Sequence, residues 1–168
     1  DRLDSLCDLV SFGVAPMMIL FNVLRECGSP SWLGWVALAI PLAGALRLAR
    51  FNIDTRQTDS FIGLPIPANA IFWIGYCSLA ASGVQSLLLP AVAIAVILVE
   101  SWLMISPVRL MSLKFKKFGW RGNEARYLLV IATAAFIFCL GVAGLLWLII
   151  FYIGLSQLPF ARQNSNRD

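Results

Sequence analysis

Five runs of predominantly apolar residues, at 3–24, 32–51, 64–81, 86–106 and 127–158, constrain this chain more than any other feature. A helix that crosses a bilayer needs about 20 such residues, with a range of about 17–25. The first four runs fit that length, and the breaks between them, ECGSPS, NIDTRQTDSFIG and SGVQS, are built from turn-forming residues. The fifth run would be about 48 Å long as one helix, against a hydrocarbon core of about 30 Å. LGVAG lies near its middle, so two short helices bent there are expected, with one long tilted helix as the alternative. Composition agrees: 60% of the residues are hydrophobic and 13% charged, where soluble domains run at about 45–50% and about 25%. The expected fold class is all-α, a polytopic transmembrane helical bundle forming one domain over residues 1–158, with a polar tail at 159–168.

The chain has no histidine, which removes the commonest general base and metal ligand. Its cysteines, Cys7, Cys27, Cys77 and Cys139, are far apart and form no C-x-x-C pair. Neither a zinc site nor a redox pair is indicated, and buried apolar thiols are expected. Basic residues set the orientation. The break after the second run carries Arg50 and Arg56, with Arg47 just inside the run; the segment after the fourth carries Arg109, Lys114, Lys116, Lys117, Arg121 and Arg126. The other two breaks carry only Arg25. Lys and Arg concentrate in cytoplasmic loops, which puts those two basic segments and the start of the first run on the cytoplasmic side.

Charges inside a span are costly and mark sites. Here they share one depth. Asp4 and Asp8 lie in the first two turns of the first run, and Arg47 and Arg50 in the last two turns of the second. Glu100 lies about 9 Å before the cytoplasmic end of the fourth run, at 1.5 Å per residue. Asp4 and Asp8 are four apart and share a helix face that Ser11 continues; Arg47 and Arg50, three apart, share another. Two neighbouring carboxylates repel unless a cation lies between them or one is protonated. Hard oxygen donors suit Mg²⁺, Mn²⁺ or Ca²⁺, and paired arginines suit phosphate. The constellation points to metal-assisted phosphoryl or phosphatidyl transfer on a lipid. Simpler roles stay open for each residue alone: Asp4 and Asp8 as favourable charges at a helix N-terminus, Arg47 and Arg50 snorkelling to the interface, Glu100 pairing with an arginine.

DSLCD, from Asp4 to Asp8, followed by LVSFGVAP, resembles the second half of the CDP-alcohol phosphotransferase signature, D-G-x2-A-R-x8-G-x3-D-x3-D. ALRLARFN at 45–52, FIGLPIPANA at 61–70 and the basic stretch LMSLKFKKFGWRGNEARY narrow the resemblance to the bacterial CDP-diacylglycerol–serine O-phosphatidyltransferase branch. The conjunction carries it; D-x3-D alone is weak. The resemblance implies attack of the serine hydroxyl on the β-phosphorus of CDP-diacylglycerol, giving phosphatidylserine and CMP. It implies signature aspartates that hold a divalent metal, Mg²⁺ or Mn²⁺. Carried over, Asp4 is the third signature aspartate and a metal ligand. Asp8 is the fourth, a metal ligand and the candidate catalytic base. Arg47, Arg50 and Asn52 fall in RLARFN and are candidates for phosphate or serine-carboxylate binding, with Ser11 and Glu100 as further substrate-binding candidates. The D-G-x2-A-R half is absent, as is the glycine four residues before Asp4. The expectation is therefore an N-terminally truncated enzyme, missing the first two family helices and itself inactive. Its expected partners are CDP-diacylglycerol, L-serine and membrane lipids, in a homodimer. Its expected place is the bacterial inner membrane, with the site on the cytoplasmic side.

Pro65 and Pro67 read as a defined helix entry, with Asn69 a weaker site candidate. KFKKFGWR lies beside a span and fits anionic lipid rather than nucleic acid, which is not an expected partner. Gly141 and Gly144 fit a bend or close helix packing. Glycerol phosphate or inositol as acceptor is the alternative within the same chemistry. A small transporter is the alternative of another class, and charges gathered at one depth disfavour it.

Overall fold

The computed structural model describes residues 2–53, 61–111 and 124–157. Arg56, the basic stretch holding Lys114, Lys116, Lys117 and Arg121, and the tail at 159–168 lie outside the described residues. The all-α expectation holds, with one two-residue antiparallel bridge added.

α1 (Arg2–Leu9), a π-helical turn (Val10–Val14) and α2 (Ala15–Glu26) run on as one long apolar helix. The π turn has a cause in the sequence. Pro16 lies four residues beyond Phe12, so in α-helical register the Phe12 carbonyl has no N–H to accept from, and the proline ring would crowd it. The ladder widens instead, and the Ala15 N–H donates to the Val10 carbonyl five residues back. After α2, Gly28 takes a φ of 75°, the left-handed conformation that favours glycine, and the Ser29 N–H donates to the Leu24 carbonyl at 3.0 Å. α3 (Ser31–Val36) and α4 (Ala39–Ile53) carry the chain back.

β1 (Phe61–Ile62) pairs with β2 (Arg109–Leu110), Phe61 opposite Leu110 and Ile62 opposite Arg109. The bridge ties the entry of α5 (Ile66–Ala81) to the exit of α6 (Pro90–Ile105). Next to it the Gly63 N–H donates to the Val108 carbonyl at 2.8 Å and the Leu64 N–H to the Leu103 carbonyl at 3.1 Å. Gly63 has a φ of 76° and sits against the Met104 carbonyl, where any side chain would clash. α6 begins at Pro90, after a 3-10 turn at Gln85–Leu88, rather than at residue 86. Proline is favoured at a first helical position, where its missing N–H is no loss.

The last apolar run folds back on itself. α7 (Glu124–Leu140) and α8 (Gly144–Gln157) are joined by a 3-10 turn at Gly141–Ala143, with Gly141 at a φ of 59°. The rings of Phe136 and Phe151 meet across the turn at 6.2 Å, and Gly144 lies against the Phe136 carbonyl. The two helices therefore form an antiparallel hairpin, their lengths about 26 Å and about 21 Å at 1.5 Å per residue.

α5 is the central helix. It packs against α2 and α8, and its buried residues include Asn69, Trp73, Gly75, Tyr76 and Cys77. The Tyr76 hydroxyl donates to the Leu87 carbonyl. Leu3–Glu26 and Ser31–Phe51 are long and apolar enough to cross a membrane, the Glu124–Gln157 hairpin is equally apolar, and α5 and α6 are shorter apolar helices. The protein is a membrane protein, and outward-facing Leu3, Leu6, Trp102 and Phe138 are the surface such a protein presents to lipid. All four thiols are free, but only Cys77 is buried; Cys7, Cys27 and Cys139 are exposed. Cys139 lies on an apolar helix face, where lipid tails make burial unnecessary; Cys27 lies in the turn that ends α2 and Cys7 in the acid-bearing turn of α1.

Gly75 lets α5 and α8 touch backbone to backbone: a Cβ there would lie 3.0 Å from the Leu145 carbonyl carbon and the Leu146 Cα. Gly75→Val is expected to destabilise the bundle by about 1–3 kcal/mol, the usual cost of overpacking. Thermal unfolding in detergent measures this, and an unchanged midpoint would contradict the packing.

Candidate functional site

The acidic and basic turns are set by four helices that meet around a glycine. A Cβ on Gly44 of α4 would lie 3.4 Å from Leu9 Cδ1 of α1, 3.4 Å from Ile66 Cδ1 of α5 and 3.5 Å from Met104 Cε of α6. Asp8 immediately precedes Leu9, and Arg47 lies one turn beyond Gly44. Gly13 makes a second close approach, its Cβ position 3.4 Å from Pro41 Cα. The acid-bearing turn of α1 thus lies beside the arginine-bearing turn of α4.

Asp4 is exposed and Asp8 half-buried, one turn apart on α1. Ser11 is exposed and sits within the π turn, so the widened backbone offsets it from the regular face that spacing alone assigns to it. Arg47 is buried, 9% exposed. Its Nε has no hydrogen-bond partner, and its guanidinium lies within electrostatic range of the Tyr152 hydroxyl on α8. Arg50 is exposed and donates from Nη1 to the Ile105 carbonyl at 2.9 Å. That carbonyl belongs to the last turn of α6, where helix carbonyls lack internal partners. The bond also ties the end of α4 to the end of α6, below the approach of Met104 to Gly44. Asn52 lies one residue before the end of α4, and its side chain lies outside the described residues.

Glu100 is 4% exposed on α6, and its Oε2 has no hydrogen-bond partner. Ser101 beside it has an unpartnered Oγ as well. Sequence reasoning missed Ser101, and it missed a polar cluster on α8. The Tyr152 hydroxyl donates to the Met111 carbonyl at 2.8 Å, the Met111 N–H donates to Ser156 Oγ at 3.3 Å, and Ser156 Oγ donates to the Tyr152 carbonyl at 2.8 Å. Both peptide groups of Met111 are thereby held. The available signal was Tyr152 and Ser156 four apart in an otherwise apolar run, the spacing of one helix face.

Asp4 and Asp8 are hard oxygen donors of the kind Mg²⁺ or Mn²⁺ takes, but such a cation takes about six ligands. Among the described residues no group of three or more His, Cys, Asp and Glu side chains converges to hold a metal ion. The carboxylate pair fits one side of such a site.

No family model matches the chain, and no solved structure matches it. Several curated proteins do. The CDP-diacylglycerol–serine O-phosphatidyltransferase of Methanocaldococcus jannaschii is 48% identical over 79 residues, 46% of this chain and 36% of that protein. The Bacillus subtilis protein of the same name is 35% identical over 109 residues, 64% of this chain and 56% of that protein. The archaetidylserine synthase of Methanothermobacter thermautotrophicus is 41% identical over 70 residues, 42% of this chain and 29% of that protein. The matches thus span between about a third and just over half of these relatives. They bear out the resemblance drawn from the motifs.

Tyr152→Phe leaves the buried Met111 carbonyl without its donor, a loss of about 1–3 kcal/mol. The expected outcome is a lower unfolding midpoint in detergent with the helix content kept. A midpoint equal to wild type would show that the hydroxyl contributes nothing there.

Proposed function

We propose that this chain carries the acidic and basic turns of a membrane phosphatidyltransferase that moves the phosphatidyl group of CDP-diacylglycerol onto L-serine. The carrying observation is the meeting of the Asp4/Asp8 turn with the Arg47/Arg50 turn around Gly44. The relatives' names add the acceptor. They share serine while differing in the lipid, diacylglycerol in one set and archaetidyl in the other, which supports the serine half of the reading most firmly.

In this reading Asp4 and Asp8 each offer a carboxylate oxygen to a divalent cation, Mg²⁺ or Mn²⁺. That cation, when bound, draws charge from the pyrophosphate and eases departure of CMP. The serine Oγ forms a bond to the β-phosphorus, the bond from that phosphorus to the CMP oxygen breaks, and the hydroxyl proton passes to Asp8. Arg47, Arg50 and Asn52 hold phosphate oxygens or the serine carboxylate, as guanidinium and amide groups do. Ser11 and Glu100 contribute to substrate binding. Arg50 is already tied to the α6 terminus and so presents its remaining N–H groups from a fixed position. The proposed membrane is the bacterial inner membrane, and the site faces the cytoplasm, a side that rests on the basic segments flanking α4 and α6. A homodimer is the proposed assembly.

The test uses a protein in which this chain follows a D-G-x2-A-R helix at the signature spacing. Asp8→Asn is expected to lower turnover about a hundredfold or more, because an amide takes no proton. Asp4→Asn is expected mainly to raise the Mn²⁺ concentration needed for half-maximal rate. Wild-type rates and wild-type metal dependence in both variants would remove the pair from the site.

A further inference from the structure

Asn69 is wholly buried near the start of α5, 0% exposed. Its Nδ2 donates to the Phe12 carbonyl at 3.4 Å, and its Oδ1 accepts from Trp73 Nε1 at 3.0 Å. The two partners fix the amide's orientation. An indole N–H only donates and so faces Oδ1; a carbonyl only accepts and so faces Nδ2. The Phe12 carbonyl is the one whose α-helical donor is removed by Pro16. Asn69 therefore gives that carbonyl, from another helix, a donor in place of the N–H that Pro16 lacks.

The π turn matters for what precedes it. One extra residue in a turn rotates the upstream helix against the downstream one by roughly 100°. Asp4 and Asp8 lie upstream, so the turn sets the direction in which they project relative to α4 and α5. We infer that Asn69 is a positioning residue for the Asp4/Asp8 face, locking the π turn through the Phe12 carbonyl and so fixing the rotation of α1. Only the activity part of the test rests on the phosphatidyltransferase reading; the rotation stands apart from it. Aspartate lacks the donor for Phe12, and leucine lacks both donor and acceptor.

Two substitutions separate positioning from mere stability. Asn69→Leu removes the donor that α5 gives the Phe12 carbonyl and frees the turn. Adding Pro16→Ala restores an N–H at residue 16, which satisfies Phe12 in ordinary α-helical register without re-forming the π turn. Three readouts are compared: unfolding midpoint, phosphatidylserine formation, and labelling of single cysteines at Asp4→Cys, Leu6→Cys or Asp8→Cys by a water-soluble maleimide in vesicles, with the native cysteines replaced. Asn69→Leu is expected to lower the midpoint, cut turnover about tenfold and change the order in which the three positions label. The double variant is expected to regain the midpoint but neither the turnover nor the labelling order. Recovery of turnover together with stability would overturn the inference, as would an unchanged labelling order in Asn69→Leu. A native protein that makes no phosphatidylserine, yet whose labelling order shifts as described, would count against the proposed reaction and leave the role of Asn69 standing.

Discussion

A polar group in the hydrocarbon of a bilayer finds no water, so every N–H, carbonyl and charge there must be answered by the protein itself. The same demand holds for groups buried at the helix ends, and together they account for the hydrogen bonds described between separate elements. The Phe12 carbonyl, deprived of its donor by Pro16, is met by Asn69. The Ile105 carbonyl at the end of α6 is met by Arg50. Both peptide groups of Met111 are met by Tyr152 and Ser156 on α8. Against this background Arg47 Nε, Glu100 Oε2 and Ser101 Oγ stand out, because they are buried polar atoms without a partner on two helices that pack together. Buried polar groups without a partner are the exception in folded proteins, which is why these three draw attention as candidates.

Packing supplies the geometry within which these bonds form. Helices in lipid gain little from hiding apolar side chains, since the tails are equally apolar, and associate where small residues let backbones approach. Gly44 is the meeting point of α1, α4, α5 and α6, Gly13 brings the π turn onto Pro41, and Gly75 seats α5 on α8. Asp8 and Arg47 lie within a turn of these contacts and Asp4 and Arg50 within two, so the spacing of the site follows from where the chain has no side chain.

Much of this was legible from residue order. The apolar runs marked the helices, and the acidic and basic pairs marked the turns that meet. The π turn was not read, although Pro16 sat in plain view: periodicity treats a proline within an apolar run as a point of weakness, and only a second helix carrying Asn69 shows how its orphaned carbonyl is answered. Asn69 itself was a weak candidate for the same reason. Arg47 was read as a binding candidate, with snorkelling as the simpler alternative. An arginine near a helix end can snorkel to the interface, yet here it is buried, with the Tyr152 hydroxyl of α8 in electrostatic range. Tyr152 and Ser156 were overlooked because a run of apolar residues hides a four-residue polar spacing, and their partner lies more than forty residues away. Sequence spacing reports a face of one helix; it does not report which neighbour that face meets.

The central claim, that the converging acidic and basic turns transfer a phosphatidyl group to serine, is tested most directly by product stoichiometry. The protein carrying this chain after a D-G-x2-A-R helix is purified in detergent and supplied with CDP-diacylglycerol, Mn²⁺ and labelled serine, and CMP and phosphatidylserine are both quantified. The account predicts equal amounts of the two products and no CMP when serine is left out. CMP released at the same rate without serine, or no product from a protein whose folding is confirmed, would contradict it.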